Sequence, residues 1–265
     1  MRRPAAWLLG AIVLALLLAD FLAPHSYSTQ FRASPDAPAS LQFPLGTDSL
    51  GRDRLSRLLF GGRLSILCAP AAALVSVLLA LGAGLTAGAL GKRSERITGA
   101  VADLFLSLPW LFALLAVRAL LPLNAAPWKI AVVTFALLGL LGWAGPCRMI
   151  MAATRRHLDS DFALFALAGG SPRWRIALVH VVPNLLPVAC AQFLVTVPAF
   201  LLAEANLGLL GLGVPEPLPS WGGLLRDLES FPAIAARPSM LAPAVLLFAV
   251  VGLFHLAVRT DENHV

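Results

Sequence analysis

Six apolar stretches, at 7–23, 64–91, 100–121, 128–151, 184–208 and 240–258, dominate this chain of 265 residues. Each is near the roughly 20 mostly apolar residues that a helix needs to cross hydrocarbon. Composition points the same way: 58% of residues are hydrophobic and 13% charged. A soluble domain carries about 25% charged residues, and a soluble fold of this size could not hide so much apolar surface. The expected fold class is an all-α integral membrane protein of about six transmembrane helices. No internal repeat is visible, so 1–265 reads as one transmembrane domain.

Polar or Pro/Gly-rich connections lie at 24–63, 92–99, 122–127, 152–183 and 209–239. Arg2-Arg3 ahead of the first run resembles the start of a signal peptide. A cleavage site wants small residues at both −3 and −1, but Phe21 stands at −3 to Ala23 and Leu17 at −3 to Ala19. The first run is therefore expected to remain as a span. Lys/Arg clusters at 92–96 and 155–175 then fall on the same side as Arg2 and Arg3, which predicts cytoplasmic N- and C-termini. The segment 24–63 becomes an outer segment despite Arg52, Arg54, Arg57 and Arg63, with Asp53 expected to pair with a nearby arginine.

The net charge of +6 does not indicate nucleic-acid binding, because the arginines sit between apolar runs and no reading motif accompanies them. Cys68, Cys147 and Cys190 lie in apolar stretches and form no CxxC pair. The five histidines are scattered without metal-ligand spacing, so no metal is expected.

Within the second run, Ala72, Ser76, Ala80, Gly84 and Gly88 recur every four residues. Such a ridge of small side chains lets helix backbones approach closely, and predicts a helix–helix contact. Arg118, near the outer end of the third run, can snorkel to the interface. Glu204 either lines a pathway or sits at the outer interface, since an acid within a span needs water or a partner.

The 152–183 connection is the most informative. Asp159 to Ala168 can form a short helix that Gly169-Gly170 breaks, with Gly169 the expected hinge. Ser171 suits an N-cap and Pro172 the first helical position. The second helix is expected to stop at Pro183. Trp174, Ala177, Leu178 and Val181 share a face, so this helix is amphipathic. An amphipathic helix held outside the membrane between two spans can dock on a partner or lie on lipid headgroups.

Residues 161–184, DFALFALAGGSPRWRIALVHVVPN, resemble the cytoplasmic EAA loop of ABC importer permeases, with Gly169 at the family's glycine. FPLGTDSLGRDRLSRLLFGGRLS (43–65) resembles an upstream signature of the oligopeptide/dipeptide/nickel branch, through Gly46, Thr47, Asp48, Gly51, Arg52 and Asp53. AEANLGLLGLGVPEPLPSWGGLL (203–225) resembles a third motif of that branch, and includes Glu204. The three occur in the family's order over most of the chain.

The resemblance implies a permease subunit that forms half of a translocation pathway in the bacterial cytoplasmic (inner) membrane, carrying peptides or a related small solute. It implies a second homologous permease, two ATPase subunits and an extracytoplasmic substrate-binding protein. The loop residues Asp161, Ala163, Gly169, Ser171, Pro172, Trp174, Leu178 and Pro183 would couple to the ATPase. ATP and Mg would be bound by that partner. This sequence has no GxxxxGK[ST] phosphate loop, so a non-catalytic chain with no cofactor of its own is expected.

The sequence departs from the family at three places. Ala163 stands where the EAA glutamate is usual, with Phe165 at a small-residue position. Phe43 replaces a histidine of the upstream signature, and the tail after Phe254 lacks the family pattern. The alternative from another class is a stand-alone secondary transporter or channel. It would favour ionisable groups at mid-membrane depth, where Glu204 is the one candidate, and would leave the docking loop unexplained.

Overall fold

The computed structural model describes residues 2–109, 112–113, 115–116, 125–229 and 237–258. Most of the second half of the 100–121 run, with Arg118, lies outside them. The fold is all-α. Among the described residues, four helical stretches are long and apolar enough to cross a membrane: Arg54–Leu90, Pro127–Leu158, Ala177–Leu209 and Pro238–Ala257. Pro4–Leu17 is a shorter apolar helix.

The chain order is α1 (Arg2–Leu17), α2 (Ala19–Leu22), α3 (Arg54–Leu90), α4 (Lys92–Ser107), α5 (Pro127–Leu141) and α6 (Ala144–Leu158). There follow α7 (Asp161–Ala168), α8 (Arg173–Ile176), a π-turn (Ala177–Val181), α9 (Val182–Leu209), α10 (Trp221–Leu225) and α11 (Ala242–Val258). Short 3₁₀ turns lie at Arg226–Glu229 and at Pro238–Leu241, the latter running directly into α11.

Several boundaries differ from the sequence expectation: α6 runs on to Leu158 rather than ending near 151, and two helix starts move for local reasons. The second span begins at Arg54 rather than 64, because Asp53 caps it and a polar first turn does not prevent a helix from starting. The 92–99 connection is helical: Gly91, at φ +92°, turns the chain and α4 begins at once.

The chain forms two compact units. One comprises Met1–Pro70, Arg118–Phe135 and Val197–Val265. In it α1 packs along α11, and α10 also contacts α11. Phe248, 68% exposed on α11, and Trp7, 77% exposed on α1, face outward as lipid-contacting side chains do.

The other unit comprises Ala71–Val117 and Ala136–Thr196. Its core joins Ala80, Cys147, Ile150, Val181 and Leu185. The ridge of small residues works as expected. A Cβ on Gly84 would lie 2.9 Å from the Cys147 carbonyl oxygen and from Ile150, and one on Gly88 2.7 Å from Thr154. Gly139 of α5 approaches the Ala72 carbonyl just as closely. Apolar side chains gain nothing by leaving lipid, so this approach of backbones is what van der Waals packing and shape can supply.

Candidate functional site

Two clusters bring together the residues singled out from the sequence, one in each unit.

In the second unit, α6 ends with Arg155, Arg156 and His157 in its last turn, where positive charge suits the helix dipole. Ser160 donates to the His157 carbonyl at 2.6 Å, and α7 starts with the exposed Asp161. α7 closes in a Schellman motif: Ser171 N–H bonds the Ala166 carbonyl at 3.0 Å and Gly170 N–H the Leu167 carbonyl at 3.0 Å. The left-handed residue is Gly170, at φ +82°. Gly169, the glycine the family motif points to, keeps an ordinary φ of −76°. The hinge therefore lies one residue beyond the expected position.

The next helix also shifts by one. The Pro172 carbonyl accepts from both Arg175 and Ile176 N–H, so Pro172 occupies the cap position expected for Ser171. Nor does the helix stop at Pro183. The π-turn Ala177–Val181 widens the backbone just before it, and α9 carries Pro183 in its first turn, where a missing N–H costs little. Asn184 Nδ2 donates to the His180 carbonyl at 2.7 Å, meeting an acceptor in this irregular turn.

The excursion is amphipathic, though differently from the sequence expectation. Ala163, Ile176, Ala177 and Val181 are buried, whereas Leu178 is 57% exposed. Leu178 leaves the face of Ala177 and Val181 because i→i+5 winding changes the angular spacing of side chains. With Phe165 at 78% exposure, and with Phe162, Leu164 and Val179, it forms an exposed apolar surface. Phe162 meets the His180 ring edge-on at 5.2 Å. The Trp174 side chain lies outside what the structure describes. Ala163, with no exposed surface, occupies a site without room for a solvated carboxylate.

In the first unit, residues 43–57 fold onto themselves and onto a later loop. Gly46 and Gly51 have φ of +76° and +73°, and a Cβ on Gly51 would meet the Phe31 carbonyl oxygen at 2.3 Å. Asp48 Oδ1 accepts from Leu50 and Arg52 N–H, a local turn that a short acid is suited to make. Thr47 donates to the Ser34 carbonyl at 2.6 Å and accepts from Ala37 N–H. Phe43 stacks edge-on against Phe31 at 5.0 Å, using its apolar ring where the family has histidine.

The arginines of this segment are paired. Arg52 bonds Asp48 and Glu216 at 2.6 Å each, and Arg57 bonds Glu216 at 2.6 Å. Arg54 lies 3.6 Å from Asp227, and Arg63 2.5 Å from Asp20. Burial of Arg52 works against its charge, but the hydrogen bond and charge of Asp48, with those of Glu216, raise its pKa above the ordinary value. Burial likewise favours neutral Glu216, yet the Arg57 hydrogen bond and the charges of Arg57 and Arg52 hold its carboxyl below the ordinary range.

Asp53 does not join this network, contrary to the expectation that it pairs with a nearby arginine. It is fully buried, and its Oδ2 accepts from the backbone and hydroxyl of Ser56 at 2.9 and 2.5 Å as the N-cap of α3. The segment is thus interior to its unit rather than a loose surface strap. Its key partner Glu216 was invisible in the sequence because it lies 164 positions from Arg52.

Glu204 is completely buried in the same unit. Gly222 N–H donates to both carboxylate oxygens, at 3.2 and 3.1 Å, and the Ser65 hydroxyl donates to Oε2 at 3.2 Å. A cavity of about 210 Å³ nearby is lined by Gly208, Gly211, Glu216, Gly223 and Arg226 among others. Among the described residues, no group of three or more His, Cys, Asp or Glu side chains could hold a metal ion.

The model of the family described as "binding-protein-dependent transport system inner membrane component" matches residues 80–260. An oligopeptide transport system permease protein of Haemophilus influenzae is 30% identical over 91% of this chain and 74% of its own length. A di/tripeptide transport system permease protein of Pseudomonas aeruginosa is 33% identical, over 83% of this chain and 73% of its own. A glutathione transport system permease protein of Pectobacterium atrosepticum is 27% identical over 97% and 84% respectively.

Proposed function

The chain belongs to the family of binding-protein-dependent transport system inner membrane components, and from this we propose that it is one of two permease subunits of an ATP-driven peptide importer. Relatives carrying oligopeptide, di/tripeptide and glutathione transport in their names support a peptide cargo. The chain supplies half of the pathway and no ATP chemistry. Two separate ATPase chains bind ATP and Mg, and a binding protein delivers cargo on the outer side. Both chain termini are cytoplasmic, with 152–183 facing the ATPase.

The observation that carries this reading is the exposed apolar surface of the α7–α8 excursion. Phe165 and Leu178 remain open although Ala163, Ile176 and Val181 anchor the excursion from beneath. Apolar side chains held clear of the membrane core by a rigid base suit a groove in a partner. α8 continues through the π-turn into α9, so a push on the docked helix reaches the membrane span along one continuous backbone. Asp161, exposed in the first turn of α7, takes the polar contact that a glutamate at 163 would otherwise make.

Purification of the tagged chain from its native membrane in mild detergent tests the reading. A second, non-identical permease and two ATPase chains are expected to accompany it, with ATP-dependent peptide uptake once the binding protein is added in proteoliposomes. A chain that purifies alone and transports unaided would instead be a stand-alone transporter.

A further inference from the structure

We propose that Glu204 is a positioning residue that clamps the short helix α10 to α3 and α9, and so fixes the floor of the adjoining cavity. α10 has five residues, too few to be stable alone. The free N–H groups at a helix start must find acceptors, most of all where water is scarce. Here each of the first three finds one on a side chain. Trp221 N–H bonds Ser65 Oγ at 3.3 Å, Gly222 N–H the Glu204 carboxylate, and Gly223 N–H Ser220 Oγ at 3.1 Å. Ser65, having accepted from Trp221, donates its own hydroxyl hydrogen bond to Glu204. One carboxylate thereby ties together three helices.

Glycines make the clamp possible. A Cβ on Gly208 would lie 1.9 Å from the Gly222 carbonyl carbon, and one on Gly222 2.6 Å from Glu204 Oε1. A Cβ on Gly62 would strike Leu16 at 2.5 Å and Trp221 Nε1 at 2.9 Å. Gly208 and Gly223 also line the cavity of about 210 Å³, so what holds α10 also shapes that cavity. Every polar contact of Glu204 is a donor, and the side chain has no exposed surface, which leaves nothing for a passing solute or ion.

What the cavity serves rests on the importer reading, so the test has one arm that does not need it. With Cys68, Cys147 and Cys190 replaced, a cysteine at Gly223 reports the position of α10 by its rate of modification with a thiol reagent. Gly223→Cys is permissible because its Cβ meets Ser220 Oγ at 3.4 Å, an ordinary contact. Glu204→Gln keeps an acceptor for Gly222, and its amide donates to the second lone pair of Ser65. Labelling is expected to stay at the parent rate in Glu204→Gln and to rise about tenfold or more in Glu204→Ala, where a buried donor is orphaned. Ser65→Ala, a milder change, is expected to raise it less.

In proteoliposomes of the full complex, Glu204→Gln should preserve uptake and its pH profile. Glu204→Ala should keep ATP hydrolysis while uptake falls about tenfold. Unchanged labelling in both Glu204→Ala and Ser65→Ala overturns the clamp. So does loss of uptake in Glu204→Gln equal to that in Glu204→Ala, which would make the charge itself essential. If the parent complex takes up no peptide, the importer reading falls while the labelling arm still decides the clamp.

Discussion

The 43–57 segment and the α7–α8 excursion are both motif-bearing, yet they are finished to different degrees. The first is satisfied within its own unit: Arg52, Arg54 and Arg57 have carboxylates, Asp53 caps a helix, and Thr47 fills two backbone groups. The second is satisfied beneath and open above, with Phe165 and Leu178 exposed over a buried Ala163 and Val181. Polar groups that complete one another specify a local shape. Apolar groups left open specify a partner. Substitutions in the two regions should therefore separate stability from assembly.

The strongest challenge to this contrast is Gly51→Val. Its Cβ would sit 2.3 Å from a carbonyl oxygen at φ +73°, a strain of about 1–3 kcal/mol before the clash is counted. Little folded protein should be recovered, as read by size-exclusion profile and thermal unfolding in detergent. An unaltered profile would mean the segment is not the self-contained structure described. In the excursion, Phe165→Ala should leave thermal unfolding unchanged, but weaken ATPase retention by about 2 kcal/mol if the ring is a binding anchor. Equal retention would remove Phe165 from the interface.

A paired substitution sharpens the hinge. Gly170→Val forces a branched side chain to φ +82°, costing about 1–3 kcal/mol, and should redirect α8 and reduce ATPase co-purification. Gly169→Val, at an ordinary φ, should cost at most about 1 kcal/mol. The reverse ranking would restore the hinge to 169.

The smallest effect concerns pH. Glu216 has its carboxyl pKa depressed from an ordinary 4.5, so its pairs stabilise the fold above that value. The contribution should fade as pH drops through the lower, folded-state value. Glu216→Gln should lower stability at neutral pH and flatten this acid limb in unfolding measured from pH 7 downward. With the side chain 57% exposed, the change is modest. An unchanged acid limb would place the dependence on another carboxylate.

The apolar runs make the membrane fold legible in the sequence, and most residues of both clusters lie within the three motifs. The misses share one cause: the deciding partner is far away or is backbone. Asp53 looked like a surface acid among arginines, but its acceptor role is set by where α3 begins. Glu204 looked like a lone charge because its donor is the N–H of Gly222 in a five-residue helix, which no side-chain pattern announces. The hinge went to Gly169 because adjacent glycines are equivalent in sequence, and only the Schellman bonds distinguish them. Pro183 suggested a stop because its missing N–H matters only when the preceding turn is of ordinary width.

That wider turn has a consequence for direction. An i→i+5 turn accommodates one residue more than the α-helical winding on either side of it. In the Ala177–Val181 turn this resembles an insertion that the helix has absorbed rather than expelled. Rewinding that turn to α-helical pitch with every residue kept would rotate everything before it by about 100° relative to α9. The composition of α8 would be untouched, and its aim would be lost. The π-turn is thus the phase setting of the shaft, fixing which way the exposed residues point when the span stands where its own packing puts it.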